Sequence, residues 1–223
     1  MAESRLPALL FDLDGTLIDS IELLLGSARH AFTGRERAPT DAEWTAGIGT
    51  PLVAQLRQFV AAEEEIVALV EAYRSYQNAN HDRLTRCFDD VVPTIEQLSA
   101  AGHPMAIVTS KSDAIARRSL AYVGLDRYFP VVVGVDATTR HKPDPEPVLL
   151  ALHRLGARPA AAVFVGDSPH DVRAGNAAGV VTVAALWGPF TREALEPAAP
   201  GHYLRCLAEL PALLERIFPT VSS

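Results

Sequence analysis

Lysine is almost missing from this chain: of its twenty basic side chains only Lys111 and Lys142 are lysines, and the rest are arginine. Cysteine is equally scarce. Cys87 and Cys206 stand far apart, with no close pair and no metal-ligand spacing, which favours buried thiols over a disulfide or a zinc site. An excess of positive charge is absent too. A formal net charge of −7 without a basic stripe argues against a nucleic-acid partner. No apolar run is long enough to span a bilayer and no charged-then-apolar leader opens the chain, so a cytoplasmic protein without a membrane role is expected. Internal repeats and low-complexity segments are lacking, and Thr220 to Ser223 reads as a frayed end.

What the chain does have is the run Leu9-Leu10-Phe11-Asp12-Leu13-Asp14-Gly15-Thr16-Leu17. An apolar strand ends in two aspartates spaced two apart, and alternation along an extended chain turns both to one side. Gly15 and Thr16 then break the strand. An Asp-Gly pair alone is usually only a turn. Here, however, Thr109-Ser110-Lys111 follows the apolar run Met105 to Val108. Lys142-Pro143 comes after Val131 to Val135, where it is expected to open a helix, and Gly166-Asp167-Ser168-Pro169-His170-Asp171 follows Ala162 to Val165. Polar groups at the carboxyl ends of four predicted strands mark the edge where open α/β sheets bind ligands.

Further strand signal runs over Val180 to Ala184, and helical periodicity over Val91 to Ala101, Ser112 to Val123 and Glu146 to Leu155. The predicted fold is α/β, a Rossmann-like, mostly parallel sheet covered by helices. From about Ile18 to Cys87 no strand signal appears. That stretch reads as amphipathic helices over Ile21 to Phe32, Pro51 to Val60 and Glu63 to Leu84. The expected organisation is therefore a core of residues 1–17 and 88–223 with an inserted α-helical cap of residues 18–87.

With these motifs in this order, DxDGT, a hydroxyl residue, a lysine and GDxxxD, the chain resembles the haloacid dehalogenase-like hydrolase superfamily over nearly its whole length. The helical insert is similar to the small cap of the phosphoglycolate phosphatase-like branch. The resemblance implies a phosphatase that acts on a small phosphorylated metabolite through an aspartyl-phosphate. Asp12 is then the nucleophile, splitting one hard displacement into two easier ones. Asp14 protonates the leaving group and later takes a proton from water. A Mg²⁺ ion is implied, held by the Asp12 and Asp167 carboxylates and the Asp14 main-chain carbonyl. Asp171 either ligates the ion or holds a water on it; its plainer role is a first-turn acid that complements the helix dipole.

Thr109 is expected to hydrogen-bond the phosphoryl group beside the Ser110 backbone N–H, and Lys142 to neutralise phosphate charge and orient Asp12. Lysine delivers a compact charge that suits a crowded phosphate pocket where arginine is a wide fork. For Lys111 an accidental survivor of the lysine-poor composition is an open reading. Gly15 supplies backbone conformation and Thr16 a side-chain bond that holds the loop. His170 reads as a loop histidine.

Relatives within the superfamily separate on what is absent. Phosphonate-cleaving members use a cap lysine, and this cap has none; sugar-phosphate mutases carry an arginine-bearing cap loop without a counterpart around Gly47 to Leu52. The cap stretch Ala72 to Asp82 resembles the bacterial pyrophosphatase offshoot of the branch, so pyrophosphate is the alternative substrate, with Gly49 and Arg74 as candidate substrate contacts. A phosphate-binding module without catalysis is the remaining alternative, disfavoured because Asp12, Asp14 and Asp167 are all present.

Overall fold

The computed structural model of the protein describes residues 6–219; the end expected to fray, Thr220 to Ser223, lies outside them. Eight strands are formed: β1 Ala8–Phe11, β2 Ile18–Asp19, β3 Arg86–Cys87, β4 Met105–Val108, β5 Val131–Val133, β6 Ala162–Gly166, β7 Val181–Ala185 and β8 His202–Leu204. Ten helices accompany them: α1 Ile21–Ala31, α2 Asp41–Ala46, α3 Leu52–Leu56, α4 Glu63–Asn80, α5 Val91–Ala100, α6 Asp113–Tyr122, α7 Glu146–Leu155, α8 Pro169–Ala178, α9 Arg192–Leu195 and α10 Leu210–Ile217.

Six strands form one sheet in the order β5-β4-β1-β6-β7-β8, and every neighbouring pair is parallel. A parallel sheet needs both faces covered, and alternation along β1 shows how the sequence provides for that. Leu9 and Phe11 pack on one face with Ile95, Leu120 and Leu213 from α5, α6 and α10. Ala8 and Leu10 pack on the other with Val148, Leu152 and Ala174 from α7 and α8. All four β1 residues are buried, so β1 sits at the centre of the molecule and its carboxyl end opens on the middle of the sheet edge.

Three expectations are corrected. The edge strand β8 gave no period in the sequence because it is three residues long and pairs on one side only. The segment expected to be free of strand contains β2 and β3, a two-residue antiparallel ribbon where the chain leaves and re-enters the sheet layer. Lys142-Pro143 does not open a helix: both residues lie in a turn, and α7 starts at Glu146.

Between β2 and β3 the insert folds on its own apolar cluster of Phe32, Trp44, Leu56, Ile66, Leu69 and Tyr73. The helix α2, absent from the sequence reading, is short but closed at its start by a capping box: Glu43 N donates to Thr40 Oγ1 while Thr40 N donates to the Glu43 carboxylate. The predicted helix over Pro51 to Val60 is cut to the five residues of α3, and α4 stops at Asn80 rather than Leu84.

Candidate active site

The β1–β6 ladder runs one residue past β1, with Asp12 N donating to Val165 O at 2.9 Å. Asp12 is thereby fixed at the carboxyl edge, 4% exposed. Beyond it the chain curls on itself: Leu17 N and Ile18 N both donate to Leu13 O at 3.0 Å, and Gly15 N donates to Ile18 O at 2.8 Å. Gly15 has φ +79°, and a Cβ there would stand 2.7 Å from Asp167 Oδ2, so both conformation and close approach require glycine. Thr16 Oγ1 donates to Asp167 Oδ1 at 2.7 Å. The loop is closed from the far side by Trp187 Nε1, which donates to Thr16 O at 2.9 Å.

Asp167 follows β6 and Ser168 caps α8 in a second capping box: Asp171 N donates to Ser168 Oγ, and Ser168 N donates back to Asp171 Oδ2 at 3.0 Å. Asp171 Oδ1 accepts from Lys142 Nζ at 2.6 Å. Both oxygens of Asp171 are therefore engaged by protein donors. Lys142 Nζ also donates to Val108 O at 3.3 Å and stands 3.0 Å from Asp12 Oδ1 as an ion pair outside hydrogen-bond angles. The buried ammonium thus ties three strand ends together: burial pulls its pKa down, but the Asp12 and Asp171 carboxylates outweigh that and hold it above the usual lysine range.

The carboxylates carry the opposite strain. Burial, followed by the charges of Asp171 and Asp14, lifts Asp12 from 3.8 to about 7 against the pull of Lys142. Burial and then Asp12 and Asp171 raise Asp167 well above the carboxylate range. One oxygen from each of Asp12, Asp167 and Asp171 lies within 4.8 Å of the others. Asp167 Oδ2 is buried without a hydrogen-bond donor, and Asp12 Oδ1 has only the ion-paired ammonium of Lys142 beside it. Orphaned carboxylate oxygens converging in a buried site are a costly arrangement for a protein alone, and a fitting one for a hard cation with oxygen ligands. The residues present fit Mg²⁺.

Above this floor, between sheet edge and insert, lies a cavity of about 310 Å³. Asp12, Asp14, Thr109, Ser110 and Lys111 line it from the sheet side, while Trp44, Ile48, Tyr73 and Gln77 line it from the insert. Thr109 is held by its N–H to Val133 O at 3.0 Å and is 5% exposed. Of the two candidate insert contacts, Arg74 stands at the exposed rim of the cavity. Gly49 seats the insert on the core: Ser110 Oγ donates to Gly49 O at 2.6 Å, and a Cβ on Gly49 would meet Ser168 Oγ at 2.7 Å.

Asp12, Asp14, Gly15, Thr16, Thr109, Ser110, Lys142, Asp167 and Asp171 thus assemble around one point. His170, expected in a loop, lies in the first turn of α8 and is partly buried, and that burial lowers its pKa. The sequence left out Ser20 and left Lys111 open. Both donate to Asp14 Oδ1. Ser20 gave no signal because it sits past the turn, on the approach to the insert. Lys111 carried one, its rarity.

Comparison with known proteins agrees with this geometry. The profile of the haloacid dehalogenase-like hydrolases matches residues 9–185. Pyrophosphatase PpaX of Bacillus velezensis is 36% identical over 218 residues, covering 94% of this chain and 97% of that protein. Among solved structures, a hydrolase from Pseudomonas syringae superposes with a TM-score of 0.86 at 22% identity, covering 97% of this chain and 100% of that one. A predicted phosphoglycolate phosphatase from Haemophilus somnus superposes at 0.83 and 23% identity, covering 96% and 99%. At those identities the structural likeness speaks for the fold.

Proposed function

The chain belongs to the haloacid dehalogenase-like hydrolase family, and from that premise we propose that it is a Mg²⁺-dependent cytoplasmic phosphatase that hydrolyses a small phosphomonoester of the phosphoglycolate kind. The observation that carries this reading is the floor of the cavity: Asp12 and Asp14 converge there beside the buried Lys142, and Asp167 next to them keeps a buried oxygen free of protein donors. The cavity volume is at the small end of the ~300–1,000 Å³ of ligand sites, which suits a small metabolite.

In this reading the Asp12 carboxylate attacks phosphorus and becomes an aspartyl-phosphate, and water then releases phosphate. Lys142 favours the ionised form of Asp12 and orients it, and Asp171 holds Lys142. Asp14 gives the proton to the leaving oxygen and takes one from the attacking water, its carboxylate steered by Ser20 and Lys111. Thr109 donates its hydroxyl, and the Ser110 backbone its N–H, to the phosphoryl oxygens. The Asp12 and Asp167 carboxylates and the Asp14 carbonyl would hold Mg²⁺, which would neutralise the charge gathered between enzyme and substrate. Gly15 and Thr16 keep Asp167 aimed at that position. The insert closes the site against bulk water as a cap of residues 18–87, hinged at β2 and β3.

Pyrophosphate is the second reading, favoured by the 36% identity to a pyrophosphatase along 94% of the chain. Phosphate release with and without Mg²⁺, from phosphoglycolate, pyrophosphate, hexose phosphates and nucleoside monophosphates, tests both. Mg²⁺-dependent preference for phosphoglycolate supports the first reading and preference for pyrophosphate the second. No release from any compound overturns both.

A further inference from the structure

We propose that Lys111 is the specificity-determining cation of the cavity, reading a second negative charge, carboxylate or phosphate, on the leaving-group side of the substrate. The inference rests on the proposed function only for where the leaving group lies.

Lys111 is rigidly presented. Its N–H donates to Thr109 Oγ1 at 3.2 Å and its carbonyl accepts from Val135 N at 2.8 Å, so the backbone is held at both ends and the side chain is aimed into the cavity. The ammonium is largely enclosed: the Lys111 side chain is 7% exposed and that of its partner Asp14 12%. Among the described residues Asp14 Oδ1 is its only hydrogen-bond acceptor, and that oxygen also accepts from Ser20. An ammonium has three donors, which leaves capacity for a ligand while Ser20 keeps Asp14 in place. The other lysine of the chain has none to spare, being spent on Asp12, Asp171 and Val108 O beneath the floor.

Apart from Asp12 on the floor and the imidazole of His141, the rest of the enclosed wall carries no ionisable side chain but Tyr73. Leu24, Trp44, Ile48 and Tyr73 are apolar or aromatic, and Arg74 is at the solvent rim. An anionic tail entering this enclosed space meets one buried cation, and it does so beside Asp14, where the leaving oxygen must lie to receive its proton. A substrate with a neutral tail leaves Lys111 on Asp14 and gains nothing from it.

The test compares phosphoglycolate and pyrophosphate with 2-hydroxyethyl phosphate, which matches phosphoglycolate in shape but lacks the carboxylate. Lys111→Met and Lys111→Gln remove the charge, and the glutamine keeps a donor for Asp14 should the methionine variant fold poorly. Binding is read by calorimetry in the Asp12→Asn background, where the ligands are expected to persist, and turnover in the Asp12 protein. Loss of one charge-assisted hydrogen bond is expected to weaken the anionic-tailed ligands roughly 10- to 100-fold more than 2-hydroxyethyl phosphate, mostly in KM, with Lys111→Arg recovering part. A loss confined to phosphoglycolate or to pyrophosphate names the carboxylate or the phosphate as the tail. Equal loss on all three ligands overturns the inference and leaves Lys111 with no role beyond steering Asp14. Selective loss of binding without turnover of any phosphate in the Asp12 protein would uphold the inference and refute the phosphatase reading.

Discussion

Replacing Asp12 with asparagine should make the metal-free protein more stable while ending its turnover. The amide has the shape of the carboxyl group, removes the charge and turns one acceptor oxygen into a donor. Burial, with the charges of Asp171 and Asp14 added and that of Lys142 opposing, lifts the Asp12 pKa from 3.8 to about 7. A carboxyl raised on folding holds a proton that the unfolded chain has already released, so its contribution is fully present below about pH 4 and lost as pH rises through about 7. At 1.36 kcal/mol per pH unit, the gap amounts to about 4 kcal/mol. In chelator at about pH 8 the asparagine variant should therefore be more stable by up to about 4 kcal/mol, or roughly 8–16 °C in Tm for a chain of this length. The two melting curves should converge near pH 4. Calorimetric unfolding across pH reads the stability and phosphate release reads the function. A variant less stable than the parent at pH 8, or equally favoured at every pH, refutes the argument from burial. Retained turnover refutes the covalent role of Asp12.

The converse holds for the cation. Mg²⁺ should raise the Tm of the parent protein in chelator-free buffer, by the equivalent of about 2.7 kcal/mol at a hundredfold excess over Kd, and Asp167→Asn should abolish that rise in the same thermal scan. Lys142→Met leaves Asp12 and Asp171 buried without their cation and should cost about 3–5 kcal/mol in urea titration, the reverse of the Asp12→Asn effect. Gly15→Ala forces a Cβ against Asp167 at a positive φ; it should cost about 1–3 kcal/mol and lower phosphate release far more than Trp187→Phe, which loses the bond to Thr16 O and some packing.

Most of the sheet was legible because parallel strands buried on both faces leave continuous apolar runs, as at Met105 to Val108 and Ala162 to Val165, and because glycine and polar residues punctuate their ends. The insert was less so. The helix α2 and the ribbon β2–β3 are too short to show a period, and they exist because tertiary contacts and one capping box hold them. Lys111 shows the same limit at the site: its rarity marked it, but the carboxylate it meets is 97 residues away along the chain.

By itself, then, the sequence determined the layer architecture, the strand ends that carry the polar groups, and the acids and lysine gathered there, since these depend on local period, turn chemistry and residue type. Only the tertiary structure decided which oxygens of those acids remain free. Asp167 keeps one and Asp12 meets only the ion-paired Lys142, whereas Asp171 spends both on Lys142 and Ser168, and Asp14 is held by Ser20 and Lys111. The physical reason is that a carboxylate's availability is set by the donors that reach it from other strands and loops, and chain spacing does not encode those distances.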